Sequence, residues 1–393
     1  MNKRGPTTPL YCALLAILAV ASLSFSAQCR TWRVTIDGDG DAPTIQAAID
    51  SAAEGDEVLV GPGTYTWTNQ GSGAEAGFIR FLGGQEGITL RSELGPENTI
   101  LDAEYHSRVI YVHAYNRITV DGFTIMHGVA PSFGDFVGGG FFTHIAREVV
   151  RNCIFVENKA NYGGGISCVV NDGFIRVEGC TFVDNEAVIG GGALLLANGS
   201  GTCYVSDCLI RNNKAGSRGG GIYQSDCNSV IERCVISGNE AGSEGSGFCE
   251  SAGKTAVISA CTFSRNGAAN SVVYAKGGSV LSLERLIVAF NVSNALGADA
   301  TSTVSVACCD IFGNLGGDAI PAGFIKKGTN LSVDPLFCGA AGSENYYLRS
   351  DSPCLPENQD FDEICLPMGA CPVACGAVSV ERTTWGSIKS IFR

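Results

Sequence analysis

Carboxylates and cations capable of exchanging protons stand near one another at one kind of position in this chain. Glu157 and Asp184 each precede an asparagine, in Glu157-Asn158 and Asp184-Asn185, and Arg211 and Lys214 flank a third, Asn213. Carboxylates set against guanidinium and ammonium groups can serve acid–base catalysis. The plainer expectation is a solvated turn with local ion pairs. Asp37, Asp39 and Asp41 have the spacing of a calcium loop, but Ala42 stands where a glycine is needed and Ala48 where a bidentate glutamate is needed. No cofactor is therefore expected, and calcium at these aspartates is the single one the residues suggest. His106, His113, His127 and His144 lie in the first third without H-x-x-x-H spacing, so surface or turn positions are expected for them. Neither G-x-S-x-G nor a phosphate loop is present.

The elements that position these residues follow from an internal repeat. The pattern Cys-x-apolar-x-x-Asn begins at Cys153, Cys180, Cys208, Cys234, Cys261 and Cys309, with Leu286 replacing cysteine once. Its asparagines, from Asn158 to Asn314, are spaced by 23 to 28 residues. Phe123 to Gly128 is an earlier, degenerate copy. Three residues before each cysteine the column reads Val150, Val177, Val205, Ile231, Ile258, Leu283 and Val306, all aliphatic. One residue later it is mostly polar. That alternation is the period of a strand.

A unit this small cannot bury its own apolar face and must stack on its neighbours. The expected fold is all-β, a right-handed parallel β-helix: a solenoid of about ten coils, on the order of 50 Å long at ~4.8 Å per coil. Equivalent residues then lie above one another. Asn158, Asn185, Asn213, Asn239, Asn266, Asn291 and Asn314 should form a ladder of side-chain amides. Phe155, Phe182 and Phe263 should stack inside, with Ile210, Ile236, Val288 and Ile311 between and beyond them. The glycine triplets, such as Gly163–Gly165 and Gly219–Gly221, are expected at corners requiring positive φ. The cysteine column is expected to be buried thiols, because like positions point their side chains the same way.

Both ends need caps. Ile45, Ala48, Ile49 and Ala52 give an N-terminal helical cap helical spacing, with Gly55 ending it. Cys338, Cys354, Cys365, Cys371 and Cys375 predict a disulfide-bonded C-terminal cap of open connectivity. The amphipathic end, Thr384–Arg393, is expected to fold back on the rod or to act as a docking tail. Residues 1–27 read as a signal peptide, with basic Lys3 and Arg4 and an apolar Leu10–Leu23. Residues 28–355 form the β-helix domain, and 356–393 the Cys-containing cap and tail. No later stretch is long and apolar enough to span a bilayer. The mature chain is expected to be secreted or held at the cell surface. Removing Lys3 and Arg4 leaves 24 basic against 39 acidic residues in a chain with 52 glycines and 18 cysteines. That balance excludes nucleic-acid binding, since phosphate backbones would be repelled. Asn198, Asn291 and Asn330 match glycosylation acceptors.

Several segments resemble known β-helix proteins. Asp37–Asp41 with Thr44–Ile49, then Gly55-Asp56 and Pro62–Tyr65, resembles the opening coil of pectinesterases and related pectin-lyase-like proteins. The Phe-x-x-Asn motifs and Gly191–Leu194 resemble the repeats of polymorphic outer membrane proteins. Asp334–Phe337 with Ser352–Cys354 is similar to the closing segment of secreted bacterial β-helix repeat proteins. Together these span roughly residues 33–355.

What the resemblance implies about chemistry is mostly negative. The Q-D-T and L-G-R-P-W motifs of pectinesterases are missing. Asp310–Gly313 echoes their D-F-I-F-G motif, but the repeat already assigns Ile311 to the stack and Asn314 to the ladder. Met126–Gly128 holds only the H-G dipeptide of polygalacturonases, and Lys326-Lys327 lacks their arginine. Glu178, Glu232 and Glu284 recur every second coil, roughly 10 Å apart, too far to share a calcium. The expected function is an exported β-helix with a structural or binding, adhesin-like role, its partner a polysaccharide or cell-surface glycan. The alternative is an enzyme of the pectin-lyase-like kind, a polysaccharide lyase, glycoside hydrolase or carbohydrate esterase, acting on an acidic polysaccharide such as pectin, with Trp67–Gly77 and Pro131–Phe136 bordering a cleft.

Overall fold

A computed structural model describes residues 29–71, 77–113, 117–130, 138–145, 147–171, 173–339, 345–359 and 365–375. The expected signal peptide, the Pro131–Phe136 stretch and the amphipathic end Thr384–Arg393 lie outside the described residues. The fold is the expected right-handed parallel β-helix. Its strands stack into a 12-stranded sheet A, a 10-stranded sheet B, a 9-stranded sheet C and a 4-stranded sheet D. One coil illustrates the path: Phe174–Glu178 in A, Thr181–Val183 in B, Glu186–Gly190 in D, Leu194–Gly199 in C, then Thr202–Ser206 back in A.

The inward columns follow the repeat. In sheet A, Val150, Val177, Val205, Ile231, Ile258, Leu283 and Val306 are in register and buried. In sheet B, Phe155 stacks on Phe182 with ring centroids 4.8 Å apart and planes 6° from parallel. Ile210, Ile236, Phe263, Val288 and Ile311 continue that column. Burying each such side chain contributes roughly 1.5–3 kcal/mol.

The asparagine ladder forms as expected. Asn185 Oδ1 accepts from Asn158 N at 3.1 Å and from Asn158 Nδ2 at 3.0 Å. The same pair of bonds recurs down to Asn314. The ends are closed too: Gly128 N donates to Asn158 Oδ1, and Asn314 Nδ2 donates to Asp318 Oδ1. Buried amides thus find partners throughout. Asn291 is one of these rungs and fully buried, so its acceptor motif is not an exposed sugar-attachment point.

The cysteines divide as expected, with corrections in detail. Cys153, Cys180, Cys208, Cys234, Cys261 and Cys309 are buried thiols facing main-chain carbonyls of the preceding coil. At the C-terminal end Cys338 pairs with Cys375, but Cys365 pairs with Cys308, from the last turn of the solenoid. Cys354 is not bridged; it is buried with Sγ 3.4 Å from Asp310 Oδ2. The cap is therefore tied to the rod itself. Its Met368–Ala370 run over the outer face of sheet B, where Gly369 N donates to Arg285 O and Ala370 N to Thr262 Oγ1.

Two local expectations change. The N-terminal helix, Ile45–Ser51, is capped by Thr44, whose side chain accepts from Ala47 N. It ends at Ala52 in an extended conformation, and Gly55 turns the chain only afterwards, at φ +87°. The glycine triplets also have two jobs rather than one. Gly163 and Gly219 have positive φ, but their neighbours serve close stacking: a Cβ on Gly164 would lie 2.5 Å from Gly192 O, and one on Gly220 2.5 Å from Ser246 O.

Candidate functional site

The turn between sheets B and D builds a column of outward side chains. The residue before each ladder rung adopts the left-handed conformation, as does His127 before Gly128 at the ladder's end: Glu157, Asp184, Asn212, Gly238, Arg265, Phe290 and Gly313 follow it, all with φ between 54° and 66°. The rung itself points in, so its predecessor points out. Glu157 and Asp184 therefore occupy adjacent coils of one column, as their spacing implied. Arg211 stands apart from that column. It lies on the outward side of sheet B, between Val183 and Ser237, and is buried. Lys214 pairs in register with Glu186 in sheet D, and Lys159 Nζ reaches Glu186 at 3.6 Å.

Glu157 finds its partners in the coils before it. His127 Nε2 is 3.5 Å from Glu157 Oε2, and His127 Nδ1 is 2.9 Å from Asp102 Oδ1. Three successive coils thus contribute Asp102, His127 and Glu157. Tyr105 lies over the imidazole with ring centroids 4.6 Å apart, and its hydroxyl is 3.5 Å from Glu157 Oε2. Asp102 Oδ1 also accepts from Glu104 N, which fixes the carboxylate. Beside this group, Trp67 stacks on His106, and Glu104 Oε2 accepts from Thr68 N and Oγ1. Burial opposes protonation of His127, but the Asp102 hydrogen bond and the Asp102 and Glu157 charges outweigh it and raise its pKa above the usual 6.5. Burial and the same carboxylates raise the Tyr105 pKa, so the phenol keeps its proton.

A second feature lies on the outer face of sheet A. A groove of about 280 Å³ is lined by Arg176, Glu178, Tyr204, Ser206, Glu232 and Arg233 among others. The Arg176 guanidinium carbon lies 4.4 Å from the centroid of Tyr204 and 5.7 Å from that of Phe174. Arg233 meets Asp207 through two hydrogen bonds of 2.9 Å and Glu232 through a third contact of 2.9 Å. That single guanidinium is shared by the two carboxylates, and among the described residues no carboxylate pairs with Arg176. Glu178, Ser206, Glu232, Ser259 and Glu284 follow in register, so the glutamates do recur every second coil.

The other sequence candidates have local roles. Asp41 Oδ2 accepts from Arg33 N at 2.8 Å, and its Oδ1 is 3.7 Å from Arg30. Asp39 N donates to Thr35 Oγ1, within the same turn as Asp37. Among the described residues no three His, Cys, Asp or Glu side chains converge as a metal-binding group. Asp310 is fully buried beneath the cap, accepting from Val333 N and facing Cys354; burial pushes its pKa up to about 6.

Sequence reasoning overlooked Asp102, Tyr105 and His127 as partners of Glu157. The degenerate copy Phe123–Gly128 aligns His127 with Glu157 and contained that signal. Asp102 lies a coil earlier, where no Cys-x-apolar-x-x-Asn pattern remains. Arg176 and Tyr204 were legible as outward positions, each two residues before the glutamate or serine of the next outward column.

The comparisons with known proteins agree with the architecture. The sequence profile described as "Right handed beta helix region" matches residues 189–324. No curated protein matches the chain in sequence. Among solved structures, pectate lyase Pel9A superposes with a TM-score of 0.54 at 13% identity, covering 88% of this chain and 97% of that one. A pectin methylesterase from carrot aligns with a TM-score of 0.32 at 13% identity, over 79% and 84% of the two chains. The chain is thus a right-handed parallel β-helix with the pectin-lyase-like fold that Pel9A also has. At that identity the likeness concerns fold alone.

Proposed function

We propose that this protein is an exported β-helix rod, secreted or held at the cell surface, that binds an acidic glycan on the outer face of sheet A. The observation that carries the reading is Arg176, a cation laid over Tyr204 in a groove and, among the described residues, without a carboxylate partner. An aromatic face stacks on a sugar ring, a guanidinium holds a uronate carboxylate through two bonds, and Glu178 accepts from hydroxyls. The two disulfides and the signal-like N-terminus suit an oxidising compartment.

Titration with a soluble polyuronate and with a neutral glucan tests this. The polyuronate is expected to bind, the glucan to bind at least tenfold more weakly, and Arg176→Ala to lose most of the difference. Equal affinity of wild type and variant would remove the groove from the account. The second reading, a polysaccharide lyase or hydrolase, is favoured by the fold shared with Pel9A. It requires unsaturated products or new reducing ends from the same polyuronate.

A further inference from the structure

The corner around His127 is not demanded by the solenoid. The same left-handed position accepts Asn212, Gly238, Arg265 and Phe290 in other coils. Here, however, Asp102, His127 and Glu157 from three successive coils meet at 2.9 and 3.5 Å, and Glu104 and Tyr105 are both held at positive φ beside them, at 50° and 58°. Two consecutive non-glycine residues in that region store strain that a plain turn would avoid. We propose that this corner is a hydrolytic site for uncharged acyl esters, with His127 as general base.

The geometry assigns each part. Asp102, itself pinned by Glu104 N, orients the imidazole through Nδ1–H and leaves Nε2 for a water molecule. Glu157 Oε2, too far from Nε2 for a strong bond, supplies the second acceptor for that water. Tyr105 is 47% exposed and offers its O–H to the oxygen that gains charge. The water gives a proton to Nε2 as its oxygen bonds to the acyl carbon. The tetrahedral adduct then expels the alkoxide, which takes the proton back from Nε2. The products are a carboxylic acid and an alcohol, and no further reactant is needed.

Other chemistries fit less well. Glycoside hydrolysis needs two carboxyl groups bracketing a sugar at ~5–9 Å, and here the imidazole itself lies between Asp102 and Glu157. Proton abstraction beside a uronate needs a cation, and Asp102, Glu104 and Glu157 give this corner the opposite charge. The same sign disfavours anionic esters.

The test uses the full chain with p-nitrophenyl acetate and with an acetylated neutral glycan, reading nitrophenolate and acetate. Wild type should exceed His127→Gly at least tenfold, and added imidazole should restore part of the loss. Glycine suits the left-handed backbone at this position, as Gly238 does, so the variant should keep its melting temperature. His144→Gln, an exposed histidine elsewhere, should match wild type. Asp102→Asn should lower kcat with little change in KM. The rate should rise with pH through a pKa above 6.5, since only the neutral imidazole accepts the proton; Asp102, Tyr105 and Glu157 are the titratable groups facing it. Equal rates for wild type and His127→Gly, or a loss that imidazole does not rescue in a folded variant, would overturn the assignment. Polyuronate binding by the same His127→Gly sample reports separately on the sheet A groove.

Discussion

The inside and the outside of one turn obey different rules. At the corner between sheets B and D, each coil places two consecutive residues, one pointing out and one in. The inward residue is asparagine seven times in succession, because each amide must match the one above and below. The outward residue runs through glutamate, aspartate, asparagine, glycine, arginine, phenylalanine and glycine over the same stretch, and is His127 in the coil before it. Repetition marks what stacking requires. Departure from repetition, where side chains converge as Asp102, His127 and Glu157 do, marks what stacking leaves open.

That contrast can be broken at its strictest point first. Gly192→Ala places a Cβ 2.3 Å from Gly220 O and 2.7 Å from Lys214 N, backbone atoms that cannot turn aside. A loss of about 4 kcal/mol is expected, above the usual range for overpacking because the clash is with main chain. Urea unfolding followed by circular dichroism measures it. Asn213→Ala should cost about 3 kcal/mol. It removes the acceptor of Asn185 N and takes one bond each from Asn185 Nδ2, Phe182 O and Asn239 Oδ1 inside the rod.

Glu148 tests the interior differently. It is fully buried, faces Thr143, and burial pushes its pKa up to about 8 from 4.5. The unfolded chain ionises it first, so stability falls as pH climbs from about 4.5 to about 8 and then levels off. Glu148→Gln should match wild type near pH 4.5. Near pH 8 it should be more stable by roughly 2 kcal/mol, with reorganisation around the charge keeping the gain below the full shift. Melting curves at the two pH values check the sign. The smallest effect is expected outside: Asn212→Gly, at φ 55°, should change stability by no more than about 0.5 kcal/mol. A large loss there would erase the distinction between the two sides of the turn.

How far each feature was legible follows the same division. The ladder, the phenylalanine stack and the aliphatic column were readable because one coil predicts the next. Glycine's second job was not: the approach of Gly164 to Gly192 O is a contact between coils, invisible in a triplet read alone. Nor was the pairing of Cys365 with Cys308, since the cap's path over sheet B has no counterpart in the repeat. The acid pair Glu157 and Asp184 was placed in one column from spacing. That Glu157 turns towards His127 depended on Asp102, from a coil whose pattern has decayed.

The sequence alone determined the solenoid, its period, and which side chains point inward, because a stacked coil must bury like on like at every turn. The tertiary structure alone decided which outward groups meet, because their proximity depends on the rise between coils and the left-handed bend of each corner. That is why Asp102 and His127, 25 residues apart in the chain, form one 2.9 Å contact, and why Arg176 rests on Tyr204 from the neighbouring strand.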